Sequence, residues 1–245
     1  MINNSTYFDS IRADYDPFIE SIWNILDNPT SLYVRGSSSL PKDVLVHKPW
    51  DIDLVYFSEN LTSETELLVR KKVIEINCKI NKLNHELPKL DVSLRVNWSK
   101  SNITTRDIYM SLAMSYSSTL IKGTEQPFLG RSFCLEDRLK VLEYTRSVIE
   151  RKLYHMSRKI DKSDAETVSR CRYLAKHIIR QGNIIKYVKD NVFTRSVDSG
   201  AEVLISIVGE DKTKRLINIM GSEHLDINLV NFLVDVYQEI KFSGL

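Results

Sequence analysis

Two aspartates separated by one residue, Asp51 and Asp53, are the side chains of this sequence best placed to do chemistry. They lie in an apolar run that is typical of a buried strand. Because successive strand side chains point to opposite faces, the two carboxylates share one face while Ile52 and Leu54 point the other way. Ionised carboxylates this close repel each other unless a cation lies between them. Mg²⁺ is the expected cation, because it is held by one or two carboxylates together with substrate phosphates.

A glycine-serine turn precedes these aspartates. The segment Val34-Arg35-Gly36-Ser37 ends a first apolar strand, and thirteen residues separate it from Asp51. Glycine lets the backbone approach a ligand closely, and the N-terminus of a following helix presents amide groups to a phosphate. The turn and the paired carboxylates together predict a site for a metal and a nucleotide.

A third carboxylate completes a recognisable order of elements. Asp91 lies in the strand-like segment Leu90-Asp91-Val92-Ser93-Leu94, after a long helix-like stretch. The Gly-Ser turn, the Asp-Ile-Asp strand and Asp91 together resemble the signature of the DNA polymerase beta-like nucleotidyltransferase superfamily. That resemblance implies an enzyme that uses two Mg²⁺ ions, with Mn²⁺ as a substitute, and a nucleoside triphosphate, ATP by default.

The resemblance also implies a role for each residue. Asp51 and Asp53 would hold the two ions that bridge the triphosphate. Asp91 would join the metal nearer the reaction and would position or deprotonate the acceptor hydroxyl. The β- and γ-phosphates would bind at Gly36, Ser37 and Ser38.

The wider pattern predicts an α+β fold in two parts. Residues 1–131 are expected to form the catalytic domain, a small mixed β-sheet flanked by helices that corresponds to the palm of the family. Its third strand should run from Lys89 to about Trp98, and the segment from Thr104 should be helical through Leu120. Residues 132–245 are expected to form an all-α helical bundle that completes the nucleotide and acceptor cleft. Helices are predicted there at Leu135 to about Ile160, Ala165 to about Asn191, Val197–Val208, Lys212–Ile219 and Ile227–Phe242.

Basic side chains are concentrated in the helical half. On its second long helix, Arg172, Lys176 and Arg180 are four residues apart and should form a continuous stripe. A solvated basic face would give the same pattern. Transferases resembling this chain hold the triphosphate with a basic residue on the helix after the catalytic domain, so Arg172 and Lys176 are the candidate nucleotide-binding residues. Gly182, on the same helix, indicates a close contact or a kink.

The same helix supports a different interpretation. Arg172 and His177 loosely match the arginine-four residues-histidine motif of HEPN ribonucleases, which are often paired with minimal nucleotidyltransferases. Tyr173 departs from that motif, which favours a polar residue there. RNA cleavage by the helical half is therefore one alternative function, and a nucleotide-binding module without transfer chemistry is another.

No motif identifies the acceptor. An RNA 3′ end or a protein hydroxyl suits the basic helical half and would fit a toxin-antitoxin or defence system, whereas a small aminoglycoside-like molecule would suit an acidic cleft. The formal charge of +2 is too small to identify a nucleic-acid partner. The sequence shows neither a basic apolar leader nor a long uncharged apolar run, so we expect a cytoplasmic protein without membrane spans.

Overall fold

The α+β class is confirmed by a computed structural model, which describes residues 5–40, 49, 51–83, 87–99, 103–127, 133–157, 165–221 and 228–243. The chain divides into two units. The first comprises Met1–Ile103 and Met110–Arg131, and the second comprises Thr104–Tyr109 and Ser132–Leu245. The expected boundary, between residues 131 and 132, lies outside the described residues. Within the ranges above, no helix combines the length and the apolar character needed to cross a membrane.

Among residues 1–131, which were predicted to form the catalytic domain, the described part of the chain contains three α-helices, four strands and one 3₁₀ helix. In chain order these are α1 (Tyr7–Trp23), β1 (Pro29–Arg35), the 3₁₀ helix (Gly36–Ser39), β2 (Asp51–Ser58), α2 (Ser63–Leu83), β3 (Lys89–Val96), α3 (Thr105–Tyr116) and β4 (Ser118–Gly123). The strands form one sheet in the order β3-β2-β1-β4. β1 is antiparallel to both of its neighbours, while β2 and β3 are parallel and are connected through α2, the kind of crossover that parallel strands need.

The register of this sheet brings distant residues into one line. Asp53 pairs with Arg35 of β1 on one side and with Asp91 of β3 on the other. Arg35 in turn pairs with Ser118 of β4. These four residues form a transverse row across all four strands, which we call the Asp53 row.

The apolar side of the sheet explains why β2 is held firmly. Ile52 and Leu54 are fully buried, as the alternation along β2 predicts. They belong to a core that includes Tyr15 of α1 and Ile76 of α2. On the other face of β2, Asp51 is exposed and Asp53 is half-buried. The two carboxylates are therefore carried by a strand whose apolar face is packed in the core.

The predicted helix through Leu120 is wrong at its end. α3 stops earlier, and the residues after it form β4 beside β1. Thr119 and Ile121 are β-branched and favour a strand, but the stabilisation comes from pairing with a strand far away in sequence. Gly123 closes this edge with φ of 87°, and a Cβ there would lie 1.9 Å from the carbonyl oxygen of Thr30. The pairing therefore requires glycine at this position.

The second unit is helical over its described residues from 133 onward. Its helices are α4 (Leu135–Ser157), α5 (Ala165–Asp190), α6 (Val197–Val208), α7 (Glu210–Gly221) and α8 (Leu229–Phe242). These bounds agree with the predicted helices to within two residues wherever the end in question is described. α5 packs against each of the other four.

Two glycines form the crossing of α5 and α6. A Cβ on Gly182 would lie 2.2 Å from the carbonyl oxygen of Gly200, and a Cβ on Gly200 would lie 2.5 Å from the carbonyl oxygen of Ile179. Beside them, Asn183 Nδ2 donates a hydrogen bond to the carbonyl oxygen of Ser196 at 2.8 Å. The close contact predicted at Gly182 is thus confirmed.

Candidate active site

Asp53 lies at the centre of a concentration of negative charge. Its side chain is 26% exposed, and its Oδ1 lies 3.8 Å from Nη2 of Arg35. Burial is the main reason that the pKa of Asp53 is raised to about 6; the Arg35 guanidinium opposes the rise, and the carboxylates of Asp51 and Asp91 add to it. A bound cation would relieve both the repulsion and the cost of burial.

Arg35 is a candidate site residue that the sequence alone did not single out. Its Nη1 donates to Sδ of Met110 at 3.3 Å, and its Nε is buried with no hydrogen-bond partner among the described residues. An unpaired buried donor of this kind is costly, so the guanidinium has capacity for an anionic ligand. The one feature of the sequence that could have pointed to Arg35 is its position directly before the turn. Only the pairing of β1 with β2 shows that it lies opposite Asp53.

Gly36 is packed against the carboxylate itself. Its φ is 76°, and a Cβ there would lie 3.0 Å from Oδ2 of Asp53. Its amide donates to the carbonyl oxygen of Ser117 at 2.9 Å. The glycine therefore serves two purposes, since it permits the turn and leaves room for the Asp53 carboxylate.

The two serines of the turn differ in their surroundings. They lie in a 3₁₀ helix, Gly36–Ser39, at the place where the sequence suggested the N-terminus of a helix. Ser37 is exposed and open to a ligand, while Ser38 is buried and its Oγ donates to the backbone carbonyl of Asp51 at 2.9 Å. The Ser38 side chain thus fixes the start of β2.

The carboxylates of this site provide some, but not all, of the oxygen ligands that a hard cation such as Mg²⁺ needs. In the described portion of the chain, no group of three or more His, Cys, Asp or Glu side chains is arranged to hold a metal ion. The carboxylates instead interact in pairs, Asp53 with Asp51 and Asp53 with Asp91. A pair of carboxylates suits Mg²⁺ when substrate phosphates supply further oxygens, so the residues fit a metal that arrives with a nucleotide.

The candidate nucleotide-binding residues Arg172 and Lys176 both lie on α5 of the second unit. Lys176 belongs to a group of cations around His177. Burial, the largest cause, and the positive charges of Arg180, Lys152, Arg195 and Lys176 together lower the pKa of His177 to about 3. We call these five residues the His177 cluster.

Arg195 reaches this cluster from outside the helix. The chain leaves α5 at Asn191, whose φ of 57° is left-handed, and Arg195 follows before α6 begins. Its Nε is buried and has no hydrogen-bond partner among the residues that the structure describes. Helical periodicity could place Lys176 and Arg180 on one stripe, but it could not show that Arg195 joins them.

The neutral state of His177 should make stability depend on pH. A histidine whose pKa is about 3 in the folded protein and about 6.5 when unfolded binds fewer protons in the folded state. Its contribution to stability is therefore complete above pH 6.5 and is lost as the pH falls. We expect this to cost about 2 kcal/mol by pH 5, at about 1.4 kcal/mol per pH unit.

The free energy of unfolding in urea, measured at several pH values, tests this expectation. His177→Gln should reduce the acid loss by that amount, while His155→Gln, an exposed histidine on α4, should leave it unchanged. If wild type and His177→Gln lose stability in parallel as the pH falls, His177 is not held neutral.

Comparisons with known proteins show similarity at the level of the fold. No family model matches the chain, and no curated protein matches its sequence significantly. The fold is similar to that of the spectinomycin adenyltransferase AAD(9) from Enterococcus faecialis, whose crystal structure contains ATP and spectinomycin. The match has a TM-score of 0.60 at 12% identity and covers 94% of this chain and 99% of that chain. At this identity the similarity shows a shared fold.

Proposed function

We propose that this protein is a metal-dependent nucleotidyltransferase that moves a nucleoside monophosphate, AMP by default, from a nucleoside triphosphate to an acceptor hydroxyl. The observation that carries the proposal is the centre of the Asp53 row. There Arg35 and Asp91 lie on either side of Asp53, and Gly36 is packed against the Asp53 carboxylate. The similarity of the fold to an adenyltransferase crystallised with ATP supports it.

Asp51 and Asp53 would hold Mg²⁺ together with triphosphate oxygens. When bound, the metal stabilises the attacking and leaving oxygens of an in-line displacement at the α-phosphate. The raised pKa of Asp53 fits this role, since a carboxylate surrounded by other carboxylates gains most from a cation. Arg35 would neutralise charge on the other side of Asp53.

Asp91 would act on the acceptor. Its carboxylate lies beside Asp53 at the exposed side of β3. It would accept the proton of the acceptor hydroxyl as the oxygen bonds to the α-phosphorus. The bond from that phosphorus to the oxygen bridging to the β-phosphate breaks, and pyrophosphate leaves with that oxygen.

The triphosphate needs donors and positive charge. Gly36 and Ser37 would present the turn to the β- and γ-phosphates, with Ser38 holding β2 in place. On α5, Arg172 and Lys176 would contribute charge, and the buried, unpaired Nε of Arg195 makes it a further candidate. Charge-assisted hydrogen bonds from such cations are the strong ones for holding a phosphate.

Two acceptor classes remain in competition. The basic helical half favours a macromolecule, either an RNA 3′ end or a protein side chain. A small-molecule acceptor is the second candidate, because the similar structure contains both spectinomycin and ATP. The ribonuclease alternative is less suited to the site, since a pKa of about 3 makes His177 a weak base and leaves very little imidazolium at pH 7 to act as a general acid.

Transfer can be tested with triphosphates labelled at either the α- or the γ-phosphate, with Mg²⁺ and a cell extract. We expect α-label in a product and γ-label in pyrophosphate. Release of the α-label by ribonuclease identifies an RNA acceptor, release by protease a protein, and label in the small-molecule fraction the second candidate. If neither labelled triphosphate is consumed, the proposal is wrong. If RNA is cleaved by Asp51→Asn but not by His177→Ala, the protein is a ribonuclease instead.

A further inference from the structure

A cavity of about 320 Å³ lies between α4 and α5 in the second unit. Its floor is apolar, formed by the buried side chains of Met156 and Leu174. Its volume is at the low end of the range of ligand cavities, about 300–1,000 Å³. It can therefore accept one small chemical group.

The polar lining of this cavity is basic. Lys152, His155 and Arg170 line it, and no acidic side chain is among its described lining residues. From Arg170 onward the chain has the same bias, since residues 170–195 contain seven Lys or Arg residues and one acidic residue, Asp190. An anionic ligand is favoured, and a cationic aminoglycoside-like ligand would meet only repulsion.

An aromatic platform stands beside these cations. The side chain of Tyr173 is exposed, and the residue as a whole is 49% accessible. Lys152 Nζ lies 3.8 Å from the centroid of the Tyr173 ring, and the His177 ring packs against the same tyrosine at 4.2 Å between centroids. The ring is thus fixed in place while part of it stays open to a ligand.

A fixed aromatic ring with flanking cations and an apolar floor suits a nucleobase attached to a phosphate. We propose that this cavity binds one nucleotide of a single-stranded nucleic acid, with the base on the exposed part of Tyr173 and the phosphate at Lys152 and Arg170. Stacking on an aromatic ring inside a positive groove is the general way in which proteins hold single strands. Binding of a single strand does not depend on the proposed function. The further statement that the bound strand is the acceptor of the nucleotide rests on the proposed function.

Binding can be measured without any transfer chemistry. The probe is a fluorescent single strand of about ten nucleotides, in RNA and DNA forms, with anisotropy read in the absence of triphosphate and Mg²⁺. The protein used is full-length Asp53→Asn, which should not catalyse transfer. Binding of the oligonucleotide is therefore tested separately from the proposed function, and its result stands even if the wild-type protein transfers no nucleotide. We expect Tyr173→Ala to weaken binding by about tenfold or more and Tyr173→Phe to retain it.

Matched variants test whether the cavity, and not general charge, is responsible. Lys152→Met should weaken binding and lower the salt dependence by about one counterion. Lys140→Met removes a cation from the same helix that pairs with Glu136 at 2.7 Å, and it should have little effect. Tyr154→Ala, which removes an exposed α4 tyrosine outside the cavity lining, should also bind normally.

Three results would overturn the inference. The first is the absence of oligonucleotide binding, and the second is normal binding by Tyr173→Ala. The third is equal competition by a mononucleotide or by an acidic peptide, which would show a site for a free nucleotide or for negative charge in general. Thermal unfolding of each variant confirms that it is folded, which is expected because Tyr173 is on the surface.

Discussion

Asp53→Asn should lower nucleotidyl transfer by about 10³-fold or more while the protein stays folded. The asparagine keeps the shape of the side chain but removes the charge that would hold the metal beside the triphosphate, a loss of several kcal/mol of transition-state stabilisation. Folding should not suffer, because burial and the neighbouring carboxylates already disfavour the charged form of Asp53. The rate of transfer of α-label and the melting temperature are the two measurements.

The matched control is Asp16→Asn. This aspartate lies on α1 in the same unit, 49% exposed and paired with Arg12 at 3.2 Å, so its change should leave transfer within about twofold of wild type. Full transfer by Asp53→Asn would remove Asp53 from the site. Equal losses in both variants would indicate a general effect of the substitution and not a role in catalysis.

Gly182→Ala should destabilise the helical unit by about 2 kcal/mol or more. Alanine is the better helix former by about 1 kcal/mol, so propensity alone predicts stabilisation. The new methyl group would, however, lie 2.2 Å from the carbonyl oxygen of Gly200, and both the oxygen and the helix that carries it would have to move. Urea unfolding of the full chain, followed by circular dichroism of its helices, measures the difference.

Gly221→Ala provides the comparison. Gly221 is the last residue of α7, and a Cβ there would meet no atom of the described residues within 4 Å. Its substitution should change the free energy of unfolding by no more than about 0.5 kcal/mol. If Gly182→Ala is as stable as Gly221→Ala, α5 and α6 do not cross with their backbones in contact.

Periodicity predicted those features of the fold that are local. The alternation along β2 placed Asp51 and Asp53 opposite the buried Ile52 and Leu54, and helical spacing gave α6 with both its ends at Val197 and Val208. In each case, the side chains that define the element are close together in sequence. Burial then followed from the same pattern, because one face of each element is apolar.

Contacts between residues far apart along the chain could not be predicted from the sequence. β4 looked like the end of a helix, because its pairing with β1 depends on residues far away along the chain. For the same reason, the position of Arg35 opposite Asp53 could not be inferred from its place before the turn. The contribution of Arg195 to the His177 cluster likewise depends on how the chain turns after α5.

The order in which the strands are synthesised differs from their order in the sheet. β1 lies in the interior of the sheet, yet its partner β4 is the last strand to be made. As the chain leaves the ribosome, one edge of β1 stays without its strand until residues 118–123 have emerged, and an open edge invites pairing with other chains. A nascent chain stalled before Gly123 should therefore be prone to aggregation, although it already contains all three aspartates of the candidate site.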